Sequence, residues 1–294
     1  MERKTFIKTL GISTLALGAG SLSQLEKLSA SLPASPRMPV LFLGHGSPMN
    51  AIEENEFVSG FRNIALSLPV PKAILCVSAH WYIKGTKVTA MEMPRTIHDF
   101  GGFPQALFDV QYPAKGSPSL ARETINTLQP TLVEEDHNWG LDHGAWSVIK
   151  HLYPKADIPV IQLSIDYTKN AQYHFDLASR LSSLRDKGIL IVGSGNIIHN
   201  LGLVDWQNMD KVDYGFDWAV EARSRINTWI LDGQYQPLID YMKQGRALQL
   251  AAPSPDHFLP LIYALGLKTS KEDVSLFNDK LLAGSLSMTS MRIG

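Results

Sequence analysis

Five histidines fall where a chain of alternating strands and helices would gather them. His45 closes the apolar run "VLFLGHG", His80 closes "LCVSAHW", and His199 lies a few residues beyond "LIVGSG". His257 stands in "PSPDHFLPL", at the predicted start of a helix with Ser254 or Asp256 as candidate cap, and His143 stands in "GLDHGAW", ahead of another helical pattern. Taken singly, a histidine after a strand is a turn-bonding group. Taken together, clustered neutral imidazoles form a donor set for a borderline divalent cation such as zinc or iron. The same side chain titrates near neutral pH, so one member of the set can also carry a proton. Gly44, Gly46, Gly193 and Gly195 would let main chain and a metal-bound ligand come close. Three other histidines read as structural or solvated: His151 and His174 fall in helical patterns and His137 in a polar loop. Competing chemistry has no comparable signature. There is no GxSxG elbow, P-loop lysine, HExxH or CxxC pair, and "GSGN" lacks the spacing of a dinucleotide loop.

Hydrophobic patterning predicts the elements that must position these side chains. Candidate buried strands are "PVLFLG", "AILCVSA", "KVTAME", "IPVIQLSI" and "GILIVGSG", each a short apolar run rich in β-branched residues. Between them lie the helical patterns "NEFVSGFRNIALSL", "SLARETINTL", "AWSVIKHLY" and "AQYHFDLASRLSSLRDKG", and residues 212–250 are predicted to be helical. The alternation predicts an α/β fold, a single domain around a mostly parallel central sheet with flanking helices. In such open sheets ligands bind outside the carboxyl ends of the strands, so histidines placed after strand ends belong near one crevice. The lone cysteine, Cys76, sits inside a predicted strand and reads as a small buried residue.

The chain has 294 residues, 45% of them hydrophobic, and carries 27 basic and 28 acidic side chains. With no basic run interleaved with aromatics, nucleic acid is not an expected partner. Residues 1–37 differ from the rest: a basic start, an apolar stretch of Gly, Ala, Ser and Leu, then "ASLPASPR". The stretch "RKTFIK" resembles a twin-arginine export signal with Lys4 in place of the second arginine, which predicts a periplasmic protein. The alternative is a disordered arm on a cytoplasmic protein. Setting that segment aside removes five basic and two acidic residues, leaving 22 against 26 in residues 38–294. No other apolar run approaches bilayer-spanning length, and composition leaves the oligomeric state open.

Several stretches in order, "GHGSPMNA", "SAHW", "TIHDFGGFPQALFDVQYPA", "GLDHGAW", "IPVIQLSID", "GSGNIIHNL", "DHFLPLIYALG" and "GSLSMTSMRIG", closely resemble the 4,5-DOPA extradiol dioxygenase family, related to the LigB-type class III extradiol enzymes. The resemblance runs from about Met38 to the C-terminus. It implies a LigB-like fold and an extradiol dioxygenase that opens the ring of a catechol such as L-DOPA with O2, by 4,5-cleavage, to a semialdehyde. It further implies that His45, His80 and His257 bind the metal, that His199 is a further ligand or close neighbour, and that His143 is the catalytic acid/base. Most LigB-type sites have two histidines and one carboxylate, whereas here His257 has Asp256 beside it, so the ligand set is histidine-only. That set suits Fe(II) for the dioxygenase reaction or Zn(II) as bound metal. The loop "TIHDFGGFPQALF" offers His98, Phe100 and Phe103 as a substrate-binding wall; alternatively those rings only pack the loop onto the body. Two rival functions stand beside this one, a zinc-dependent hydrolase of unknown substrate and a non-catalytic metal- or ligand-binding protein. The presence of His143 argues against the second, since binding alone needs no acid/base.

Overall fold

Along the central strands, side chains alternate between two apolar cores. In the first strand Val40 and Phe42 enter one core and Leu41 and Leu43 the other. Ile189 and Ile191 likewise face the first, with Leu190 and Val192 facing the second. A sheet apolar on both faces must be covered on both, and helices do so here. The computed structural model describes residues 37–294, so the predicted leader lies, apart from Arg37, outside the described residues.

The strands are β1 (Val40–Gly44), β2 (Ala73–Ile83), β3 (Thr86–Thr89), β4 (Val133–Asp136), β5 (Val160–Asp166), β6 (Ile189–Gly195), β7 (Val274–Phe277), β8 (Leu281–Leu282), β9 (Leu286–Ser287) and β10 (Ser290–Ile293). Eight form one sheet in the order β4-β3-β5-β2-β6-β1-β10-β7, and β8 and β9 pair separately. The middle four, β5-β2-β6-β1, are parallel, while β3 runs antiparallel to β5 and β10 antiparallel to β1. All five predicted strands are present.

The helices are α1 (Glu56–Leu66), α2 (Gln105–Phe108), α3 (Pro118–Thr127), α4 (His143–Leu152), α5 (Ala171–Arg180), α6 (Ser182–Asp186), α7 (Asp217–Leu231), α8 (Tyr235–Ile239), α9 (Arg246–Ala251) and α10 (Leu259–Gly266). Phe57 and Phe61 of α1 and the apolar face of α4 fill one core; α3, α5, α7, α9 and α10 fill the other. The long pattern "AQYHFDLASRLSSLRDKG" divides at Leu181 into α5 and α6.

Two local expectations are corrected. His80 does not follow the end of its strand; β2 runs on to Ile83, and His80 lies where its register with β5 shifts between Val77 and Tyr82. Such an irregularity re-aims a side chain, which an uninterrupted strand would have sent elsewhere. The last helix starts at Leu259, two residues after His257, and no side chain caps it. Asp256 turns to His257 instead.

Arg185 of α6 is fully buried at the amino-terminal edge of this sheet. It donates to Met38 O at 2.7 Å and Leu267 O at 2.9 Å and pairs with Glu272. Burial pushes the Glu272 carboxyl upward, but Arg185 and the N–H and hydroxyl of Thr269 outweigh it and hold it at about 2. Removing one partner of a buried pair costs about 3–5 kcal/mol. We expect Arg185→Met to lose stability of that order in urea unfolding at neutral pH. Because the folded-state carboxyl is depressed, its contribution is present above the ordinary carboxylate range and is lost as pH falls toward 2. The gap between wild type and variant should therefore narrow with acidification; a gap independent of pH would contradict the assignment.

Candidate metal centre

The parallel neighbours β2, β6 and β1 deliver three chain segments to one end of the sheet. His45 directly follows β1, and its N–H bonds Gly195 O at 3.1 Å, tying the ends of β1 and β6 together. The chain after β6 turns at Asn196, whose N–H bonds His257 O at 2.9 Å. A Cβ at Gly195 would overlap that same carbonyl, and one at Gly193 would overlap Pro260 O. These glycines thus admit the main chain that carries His257, and the expected approach of a ligand to them is replaced by this packing.

His45, His80 and His257 form a nearly equilateral triangle, with ring centroids 5.1, 5.2 and 5.0 Å apart. Each offers one ring nitrogen to a set whose members lie within 4.8 Å of one another. His45 Nε2 and His80 Nε2 are 3.3 Å apart. A tetrahedral centre with metal–nitrogen bonds of 2.0–2.1 Å has nitrogen–nitrogen edges of roughly 3.4 Å, so the spacing fits a shared cation.

The partners on the far side of each ring decide which nitrogen is free. Ser194 Oγ donates its one proton to Gly144 O, and so accepts from His45 Nδ1 at 3.0 Å. Asp256 accepts from His257 Nδ1. Asp99 Oδ2 lies 3.3 Å from His80 Nδ1, a distance at which a carboxylate repels a lone pair and attracts an N–H. His45 and His257 therefore carry a proton on Nδ1, and the Asp99 charge favours the same placement in His80, which turns Nε2 of each ring toward the common point. Burial first, then the neighbouring imidazoles, pushes the pKa of His45 and of His80 well below the usual histidine value, with Asp99 opposing the shift at His80. The shift favours the neutral form of His45 and His80 that ligation requires. Burial is likewise the largest force raising the Asp256 carboxyl, yet its hydrogen bonds from His257 and the Ser254 side chain hold it far below the usual range.

His143 opens α4, where Asp142 accepts from Ala145 N–H at 3.0 Å as the helix cap. Asp142 is itself buried and accepts from Ser78 Oγ at 2.6 Å and Gln162 Nε2 at 2.7 Å. Its carboxyl is raised, by burial first and then by Asp99. The His143 ring packs against His80, centroids 3.9 Å apart, and its Nδ1 lies 3.0 Å from Asp99 Oδ1. His199 takes a different place from the triangle. It stacks face to face on His257, 3.6 Å between centroids and 9° between planes, and its donor joins a set with His257 and Asp256. Burial, then His257, lowers it to about 3.

The aromatic loop lies over this cluster. Phe100 packs edge-on against His143 at 5.5 Å, Phe103 packs on Phe100 at 5.5 Å, and the His98 ring contacts Phe100 at 5.7 Å. His98 Nε2 is engaged with Val110 O at 2.9 Å, so this ring anchors the loop. Phe108, 5.1 Å from Phe100, joins the same group and was missed in the sequence, as were Asp99, Asp142 and Ser194. For Asp99 the signal was adjacency to His98 and Phe100 in the loop already singled out. Ser194 had none, because a serine in a buried strand reads as a small residue. The remaining histidines satisfy ordinary bonds: His151 Nε2 with Asn50 O at 2.7 Å, His174 with Tyr263 OH at 3.0 Å and Asp166 O at 3.2 Å, and His137 with Glu135 at 3.2 Å.

Residues 38–285 match the family model described as the catalytic LigB subunit of aromatic ring-opening dioxygenase. The chain is 47% identical over 265 residues to a 4,5-DOPA dioxygenase extradiol of Escherichia coli K12, covering 89% of this chain and 96% of that one. It is 34% identical over 258 residues to the protein of the same name from Beta vulgaris, covering 85% and 94%. The crystal structure of an uncharacterized protein from Escherichia coli K12 superposes with a TM-score of 0.76 at 40% identity, covering 88% of this chain and all of that one. The paired convergence of imidazole donors and an aromatic-lined loop agrees with this relationship, and the chain belongs to the LigB family as an extradiol-type, aromatic ring-opening dioxygenase.

Proposed function

We propose that this enzyme cleaves a DOPA-like catechol at the 4,5 bond, using Fe(II) held by His45, His80 and His257. The observation that supports the metal reading is the convergence of one ring nitrogen each from His45, His80 and His257 within 4.8 Å, with Ser194, Asp99 and Asp256 standing behind the rings. The substrate follows the relatives named 4,5-DOPA dioxygenase extradiol. When bound there, iron would supply the redox chemistry that couples an electron-rich catechol to O2. His199, stacked on His257, fixes that ring's plane and serves as a further donor.

His143 takes the catechol proton. Its Nδ1 faces Asp99, which leaves Nε2 to receive the proton and later return it as general acid. Phe100 presents its edge to His143 and, with Phe103, covers the space where an aromatic ring would lie, excluding water from the reacting oxygens. Both atoms of O2 enter the ring-opened semialdehyde acid. The histidine-only donor set also suits zinc, which would occupy the same residues without supporting oxygen chemistry. The leader adds export to this reading, since the "RKTFIK" start with an apolar segment behind it argues for passage of the folded enzyme to the periplasm.

Anaerobic Fe(II) loading followed by L-DOPA in the presence of O2 should give equimolar loss of oxygen and DOPA with a new visible absorbance. Metal bound with no oxygen uptake across a panel of catechols would reject the reaction. His45→Ala should abolish stoichiometric metal binding as well as turnover. His143→Gln should keep the metal and lower kcat by about 10²- to 10⁴-fold, the usual worth of a positioned acid/base; loss of metal in that variant would instead make His143 a ligand. Fractionation of cells expressing the full chain should recover it in the periplasm, and exclusive cytoplasmic recovery would remove export from the proposal.

A further inference from the structure

Asp99 is a surface-loop residue with an inward task. The residue as a whole is exposed, yet its side chain is only 18% exposed, because the carboxylate turns back between two imidazoles. Oδ2 lies 3.3 Å from His80 Nδ1. Oδ1 accepts the main-chain N–H of His143 at 2.8 Å and lies 3.0 Å from His143 Nδ1; both ring contacts are close charge approaches without hydrogen-bond alignment. One carboxylate therefore addresses a strand residue, a helix residue and the first turn of that helix.

The loop around it is held on both sides. Ile97 N–H bonds Leu141 O at 2.7 Å, and Trp146 Nε1 donates to Ile97 O at 2.8 Å. On the other side His98 Nε2 bonds Val110 O at 2.9 Å and Phe100 packs against His143. Asp99 is thus delivered to the two rings by a loop that has its own anchors.

An imidazole with one proton must place it on one nitrogen or the other, and the negative charge of a carboxylate oxygen about 3 Å from one nitrogen favours the proton there. We infer that Asp99 is a positioning residue that sets two tautomers at once: Oδ2 keeps the His80 proton on Nδ1, so Nε2 faces the metal centre as a lone pair, and Oδ1 keeps the His143 proton on Nδ1, so Nε2 is open to the substrate. The inference rests on the metal-centre reading for its purpose, while the tautomers themselves can be observed without metal.

An asparagine here has one accepting and one donating end, so it can satisfy only one ring. The main-chain N–H of His143 gives the oxygen a second donor on that side and holds it there. The amide NH2 then faces His80 Nδ1 and demands a lone pair, which moves the His80 proton to Nε2, where it blocks ligation.

The test is nitrogen-15 NMR of histidine-labelled, metal-free protein, paired with Zn(II) competition against a chromophoric chelator. Wild type should show both His80 and His143 as Nδ1–H tautomers. Asp99→Asn should shift His80 to the Nε2–H form, leave His143 unchanged, and weaken Zn(II) binding by roughly 10- to 100-fold, the usual effect of losing a partner behind a ligand. A variant that binds Zn(II) as tightly as wild type with His80 still protonated on Nδ1 overturns the inference. So does a wild-type spectrum with either ring protonated on Nε2, which decides the matter even if the variant does not fold. Wild type that binds no Zn(II) while showing both Nδ1–H tautomers would reject the metal centre and leave the role of Asp99 standing.

Discussion

Three imidazoles can share one cation only if each turns a bare nitrogen to the same point, and a free imidazole exchanges its proton readily between its two nitrogens. The constraint must come from behind the rings. Here Ser194 stands behind His45 and Asp256 behind His257 as hydrogen-bond acceptors, and the Asp99 carboxylate stands behind His80 at 3.3 Å. Each acceptor is held in turn: Ser194 spends its proton on Gly144 O, and Asp99 rides on a loop fixed through Leu141, Trp146 and Val110. The site is therefore a set of oriented lone pairs before it is a set of ligands.

The fold supplies that orientation through contacts that are structural in origin. The order β2-β6-β1 makes the three strand ends neighbours, and the register shift in β2 turns His80 toward His45. Bare glycine backbone in β6 lets the segment before α10 approach closely enough for Asn196 to bond His257 O. On the opposite core, Asp142 unites β2, β5 and α4 through Ser78, Gln162 and Ala145. A buried carboxylate with that many donors is costly to disturb, because each donor left unpaired costs about 1–3 kcal/mol. It fixes the start of α4 and with it the ring of His143. Gly144 belongs to the same arrangement, since a Cβ there would lie 2.5 Å from Ser78 Oγ and 2.8 Å from His80 Cδ2.

Much of this could be read in the sequence because apolar periodicity reports burial, and the central strands are buried on both faces. The outer strands carry no such signal. β4 reads "VEED" with two exposed glutamates, and β7 is only half-buried, as strands near a sheet edge can be. The histidines were legible as a set because few residue types do their chemistry and several stood at strand ends. Their separation into a triangle, a stacked neighbour and a helix-borne ring was not, since it depends on a strand irregularity and on ring orientation. Asp99 and Ser194 escaped for a related reason: an acid in a loop and a serine in a strand acquire their meaning only from the ring that the fold sets beside them.

Charge gives the arrangement its chemical sense. Three neutral imidazoles bring no negative charge to the centre, but Asp99 and Asp256 stand one ring behind it and carry two. A divalent cation at the focus is balanced by these two carboxylates at a distance, whereas the third partner, Ser194, is uncharged. A third carboxylate in that position would leave the loaded site negative and oppose a catecholate. Keeping the carboxylates behind the rings places their charge one imidazole away from the point where the ring nitrogens converge. His143, the ring proposed to take a substrate proton, lies beside the same Asp99 that approaches His80. One carboxylate thus joins the two rings on which the proposed chemistry depends, one from the strand that lines the centre and one from the helix beside it.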